Sequence, residues 1–253
     1  MTIDVDDLVA GQLLGMLVGA LVALGGVAWK RMRDRRGERG LWRLGRSDRL
    51  VIAISDSGTS DTGTYLRPMT GLGQVTSVGL LTPTLARAYR NLPTNLVRFA
   101  SECRDDDVLG DLVILGGPKA NRLAARLFER LPDDFPVQMT VTDRTRIHWN
   151  GPAGALELPG DAVAPGTSGG KDYGIILRLR NVFDGQDGTI TLFAGVHTYG
   201  TLAAASYFAN SPKDVMAHES RSFAILVSID VDEGNRPFGP TKLDTLELND
   251  VPR

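Results

Sequence analysis

The sequence predicts an α/β protein: one N-terminal transmembrane helix, then a Rossmann-like, mostly parallel sheet with a β-hairpin excursion. Leu8 to Trp29 carries no charged side chain. Short apolar runs alternate with helix-period segments, the pattern of strands covered on both faces. A succession of strand, Gly-rich polar loop and helix recurs, with loops at Ser55–Gly63, Gly116–Asn121 and Gly195–Thr201.

Taken in order, residues 1–7 form a short extracytoplasmic tail and 8–29 the membrane helix. Twenty-two helical residues span about 33 Å, against a hydrocarbon core of roughly 30 Å. A cleavable signal peptide fits less well, because Asp4, Asp6 and Asp7 precede the apolar run instead of basic residues. Residues 30–47 read as a basic juxtamembrane linker containing Lys30, Arg31, Arg33, Arg35 and Arg36. Under the positive-inside rule this side is cytoplasmic. The expectation is therefore a cell-membrane protein with its N-terminus outside and a cytoplasmic domain at 48–253. Gly11, Gly15, Gly19 and Ala23 repeat every four residues. Such a ladder lets two helices approach closely and predicts a homo-oligomer.

Leu50–Ile54 is the first strand, followed by the polar Ser55–Thr64 loop. Gln74–Leu81 reads as helical, and Pro83, capped by Thr82, starts a separate helical piece to about Arg90. Leu96–Ala100 is the second strand. Asp105, Asp106 and Asp107 read as a solvated loop; nothing around them fixes Mg²⁺ geometry, and no metal is predicted.

Leu112–Leu115 is a buried strand, and Gly116-Gly117-Pro118 turns the chain sharply. Asn121 is the expected N-cap of a helix whose apolar face is Leu123, Ala124, Leu127, Phe128 and Leu131. Residues 137–170 form the excursion. Val137–Thr142 pairs with Arg146–Trp149, a Gly/Pro-rich stretch follows, and His148 is an exposed cross-strand residue. Tyr173–Leu179 and Thr189–Ala194 are strands, Leu202–Ala209 is a helix stopped by Pro212, and Phe223–Val231 is the last long strand. Thr245–Leu248 pairs at an edge.

Charges nearly balance at 28 basic and 30 acidic residues, so no polyanion-binding signature exists and nucleic acid is not an expected partner. Cys103 is the only cysteine, which excludes an internal disulfide.

In a parallel sheet with right-handed crossovers, the recurring loops share the rim at the carboxyl ends of the strands. A small-ligand pocket is expected there, and a helix start after a glycine turn favours an anion. The expected ligand-binding residues are Ser57, Gly58, Thr59, Gly116, Gly117, Lys119, Asn121, Tyr199, Gly200 and Thr201. His197, an imidazole suited to general-base work, and Asp56 are the candidate catalytic groups. No Walker lysine, G-x-S-x-G elbow, H-E-x-x-H or dinucleotide fingerprint is present, so no cofactor is assigned.

DLVILGGPKAN, followed downstream by LFAGVHTYGTLAAASYF, resembles an uncharacterised α/β domain of some bacterial regulatory and membrane proteins. A similar pattern occurs in archaeal S-layer proteins. The resemblance covers about residues 50 to 231 and implies the α/β fold, with no reaction attached. A membrane helix before a cytoplasmic domain departs from the S-layer arrangement.

The leading expectation is a membrane-anchored sensor or effector that binds a nucleotide-like or other anionic small molecule at the rim. The alternatives are a membrane-tethered nucleotide hydrolase or glycosyl-bond-cleaving enzyme using the same rim, and a non-catalytic scaffold.

Overall fold

A computed structural model of the protein describes residues 36–45, 47–152, 154–159, 170–183, 188–218 and 222–248. The membrane span expected at 8–29, its glycine ladder and the first residues of the basic linker lie outside this range. Among the described residues no helix is long and apolar enough to cross a membrane.

The fold is mixed α/β around a seven-stranded sheet of order β12-β11-β9-β10-β5-β1-β4. Its strands are β1 (Val51–Ile54), β4 (Val97–Phe99), β5 (Leu112–Leu115), β9 (Gly170–Arg180), β10 (Thr189–Gly195), β11 (Phe223–Val231) and β12 (Thr241–Glu247). β4, β1, β5 and β10 run parallel. β9, β11 and β12 pair antiparallel. The sheet is therefore mixed, where a mostly parallel one was expected. The cause is the 181–188 turn: it is too short for a helical crossover, so β9 and β10 meet as a hairpin.

Strand alternation sorts the core into two layers. Val51, Ala53, Leu112 and Ile114 face α3 (Arg122–Phe128) and a small three-stranded sheet. That sheet is β6 (Val137–Val141), β7 (Thr145–Gly151) and β8 (Gly154–Pro159), in sequence order. The expected excursion is thus a lid on one face of the core: Val137, Met139, Ile147 and Trp149 are buried against it. Ile52, Ile54, Val113 and Leu115 face α2 (Leu72–Ala88), α4 (Thr198–Asn210) and α5 (Pro212–Met216).

Residues 36–42 are helical (α1) and also join this second layer. Leu41 and Trp42 are fully buried, Trp42 against Phe208 with ring centroids 4.7 Å apart. Trp42 Nε1 donates to Thr84 Oγ1 at 2.9 Å, and the buried Arg178 donates to Leu41 O at 2.5 Å. Residues 36–45, expected as linker, are part of the folded body.

Other expectations are corrected by packing. α2 runs unbroken through Pro83. Leu81 and Leu85 are buried on either side of it, while the proline itself is exposed, so tertiary burial outweighs a penalty of about 3 kcal/mol. The Ser55–Gly63 loop contains a strand, β2 (Gly58–Asp61), paired with β3 (Leu66–Met69) in an exposed hairpin. Pro212 not only ends α4 but opens α5, where its fixed φ suits a first helical position.

Candidate functional site

A cavity of about 460 Å³ opens at the carboxyl ends of β1, β5 and β10, within the roughly 300–1,000 Å³ range of small-molecule sites. The loop after β1 contributes Ser57, and the start of α2 contributes Gly71 and Gln74. The turn after β5 contributes Gly117, Lys119 and Ala120. The β10–α4 segment contributes Gly195, Val196, His197, Thr198, Tyr199 and Thr201. Thr145, Asp172 and Asn235 complete the lining from β7, β9 and the turn after β11. The expected juxtaposition therefore holds: Gly117 and His197 line one cavity.

Of the predicted residues, Ser57, Gly117, Lys119, His197, Tyr199 and Thr201 line this cavity. Lys119 and His197 are exposed, and Lys119 has no ion-pair partner among the described residues. Tyr199 donates its hydroxyl to Asn235 O at 2.9 Å, tying α4 to the turn after β11.

The others serve the fold. Gly58 and Thr59 lie in the exposed hairpin, outside the lining. Asp56 accepts from Ser101 N and Ser101 Oγ, both at 3.0 Å. Its carboxylate faces the turn after β4, so the suggested pair of His197 and Asp56 is not assembled. Asn121 is fully buried and committed within the chain: Oδ1 caps Leu123 N and Ala124 N, and Nδ2 donates to Ala53 O and Leu115 O. Gly200 is buried at the crossing of α4 over β9; a side chain there would run into Tyr173 O. The glycines of the Gly195–Gly200 segment are thus explained by a close helix-on-strand approach.

Asp172 and Gln74 are cavity residues that sequence reasoning missed. Asp172 is wholly buried at the start of β9. Its carboxylate accepts from Tyr173 N at 2.8 Å, His197 N at 3.2 Å and Gly200 N at 2.6 Å. The N-terminus of α4, expected to attract an external anion, is filled by this internal one. Burial raises the Asp172 carboxyl above its ordinary value; the N–H groups of Gly200, Tyr173 and His197, and the charge of His197, oppose that rise. The only local signal for Asp172 was a charge at a strand start. Gln74 is 7 % exposed in the first turn of α2 and lines the cavity from that side.

Asp105–Val108 form a 3-10 turn, with Asp107 paired to Arg98 at 2.7 Å, and lie outside the cavity. Among the described residues no group of three or more His, Cys, Asp or Glu is arranged to hold a metal.

Models of known protein families give no match to this chain, and no curated protein matches it. The functional reading rests on the cavity. The cavity combines a wall of Ala120 and Val196, cationic or donor groups in Lys119, His197 and Gln74, and an acid already satisfied by backbone.

Proposed function

We propose that the protein is a membrane-anchored cytoplasmic sensor or effector that binds a nucleotide-like or other anionic small molecule in this cavity. The observation that carries the reading is the convergence of the β1, β5 and β10 loops around a cavity with Lys119 at its edge and no carboxylate paired to it. The order β4-β1-β5-β10 supports a Rossmann-like reading of the parallel half. β1 and β5 are neighbours, yet the chain leaves β1 toward α2 on one face of the sheet and leaves β5 toward α3 on the other, the switch point where open α/β sheets take ligands.

The anchor is the uncharged 8–29 run, with the glycine ladder as its self-association face. Packing of α1 supports a cavity that faces away from the bilayer. Arg39 donates to Ala88 O at the end of α2, and Arg43 O accepts from Thr189 at the start of β10. Both contacts lie at the edge of the sheet opposite the cavity.

Thermal shift of the full chain in detergent against a nucleotide panel tests this. A ligand at about a hundred times its Kd adds about 2.7 kcal/mol, or roughly 5–10 °C for a domain of this size. Lys119→Ala should remove most of that shift. A folded protein stabilised by no member of the panel would defeat the reading.

A second reading, an enzyme at the same rim, is supported by His197 lying within electrostatic reach of Asp172. It requires that His197→Ala abolish turnover of a nucleotide while leaving the fold intact.

A further inference from the structure

The buried amide of Gln74 is the polar group of the cavity that this reading leaves unused. Its orientation follows from its neighbours. Gly73 N donates to Thr198 Oγ1 at 3.0 Å, and the Thr198 hydroxyl donates to Gln74 Oε1, 3.2 Å away. Oε1 is thereby an acceptor already in use, and Nε2 is the other arm of the planar amide.

There Nε2 approaches the backbone at Gly116. A Cβ placed on Gly116 would lie 3.4 Å from Nε2 and 2.6 Å from Ser55 Oγ. Gly116 has φ 108°, a backbone that glycine adopts without strain. Ser55 is fully buried at the end of β1, and its hydroxyl has no hydrogen-bond partner. Gln74 Nε2 has none among the described residues either. The cavity lining includes Gln74 and not Ser55, so the unpaired donor on the cavity side, where β1 and β5 end, is Gln74 Nε2. Buried polar groups in proteins are nearly always paired, so such an exception marks a place for a missing partner.

We propose that Gln74 Nε2 donates to an acceptor oxygen on the buried end of the ligand, and that the site selects an oxo-bearing heterocycle over its amino counterpart. This deepens the proposed function and rests on it. An amide that reads an amino-bearing base needs its oxygen as well as its nitrogen. Here Thr198 holds the oxygen, and only the donor is offered. Lys119 and His197, both exposed, take the phosphate at the mouth.

The test is calorimetric titration of the full chain with inosine and adenosine 5′-monophosphates, and with uridine and cytidine 5′-monophosphates. The oxo member of at least one pair should bind roughly tenfold tighter. Gln74→Met, of similar length and without the amide, should bring the two members of that pair to equal affinity. The wild-type ratio needs no variant, so a misfolded Gln74→Met leaves the first comparison decisive. Equal binding of both members of each pair would overturn the inference and spare the binding reading, as would a preference that survives in Gln74→Met. Binding of no nucleotide would overturn both.

Discussion

α3 and α4 both start after a glycine-bearing turn at the same rim, yet their first N–H groups are satisfied in opposite ways. α3 is capped by its own N-cap: Asn121 Oδ1 accepts from Leu123 N at 3.0 Å and Ala124 N at 3.2 Å. α4 has His197 at its N-cap position with no side-chain cap bond. Its cap is Asp172, on a neighbouring strand, bonded to His197 N and Gly200 N. The first cap is neutral and local. The second is a carboxyl group distant in sequence, favoured by the helix dipole when ionised. The difference teaches that a glycine turn before a helix is not by itself an open anion site. In the proposed function, attraction for an anion falls to side chains at the mouth, Lys119 and His197.

Removing the distant cap should have the largest effect. Asp172→Ala leaves three N–H groups, that of Gly200 buried, without an acceptor and should cost about 3 kcal/mol, read from the urea midpoint. A cost below that of the local cap would show that water replaces the carboxylate, and the contrast between the helices would collapse. Asn121→Ala comes next, at about 2 kcal/mol, since it removes a cap and two donations to Ala53 O and Leu115 O.

The smallest expected effect is on pH dependence. Because Asp172 is raised in the folded chain, just above the ordinary carboxylate value the folded chain holds a proton that the unfolded chain has released. Its contribution therefore favours folding as pH falls through that window, and this is lost as pH climbs past the raised value. Asp172→Asn lacks the slope. At matched pH the urea midpoint of the wild type should gain on that of the variant toward the acid side of the window. A gap that widens on the alkaline side would mean that the three N–H groups, not burial, govern this carboxyl.

Much of the frame was legible. The apolar runs at Val51–Ile54, Leu112–Leu115, Thr189–Gly195 and Phe223–Val231 are strands, because a continuous apolar run suits a strand covered on both faces. Asn121 was legible as a cap because its partners lie two and three residues away. Pro83 was misleading because its local penalty is overruled by Leu81 and Leu85, whose burial depends on the sheet beneath them. Asp56 pointed to the wrong neighbour because nothing in its own loop says that β4 lies beside β1.

By itself the sequence determined the strands, the cap of α3 and the turn carrying Lys119. These follow from side-chain period and turn chemistry acting over a few residues. Tertiary structure decided the sheet order, the carboxylate beneath α4 and the amide held by Thr198. Each of those contacts joins residues whose proximity exists only after β9 has paired with β10 and α2 has packed beside α4.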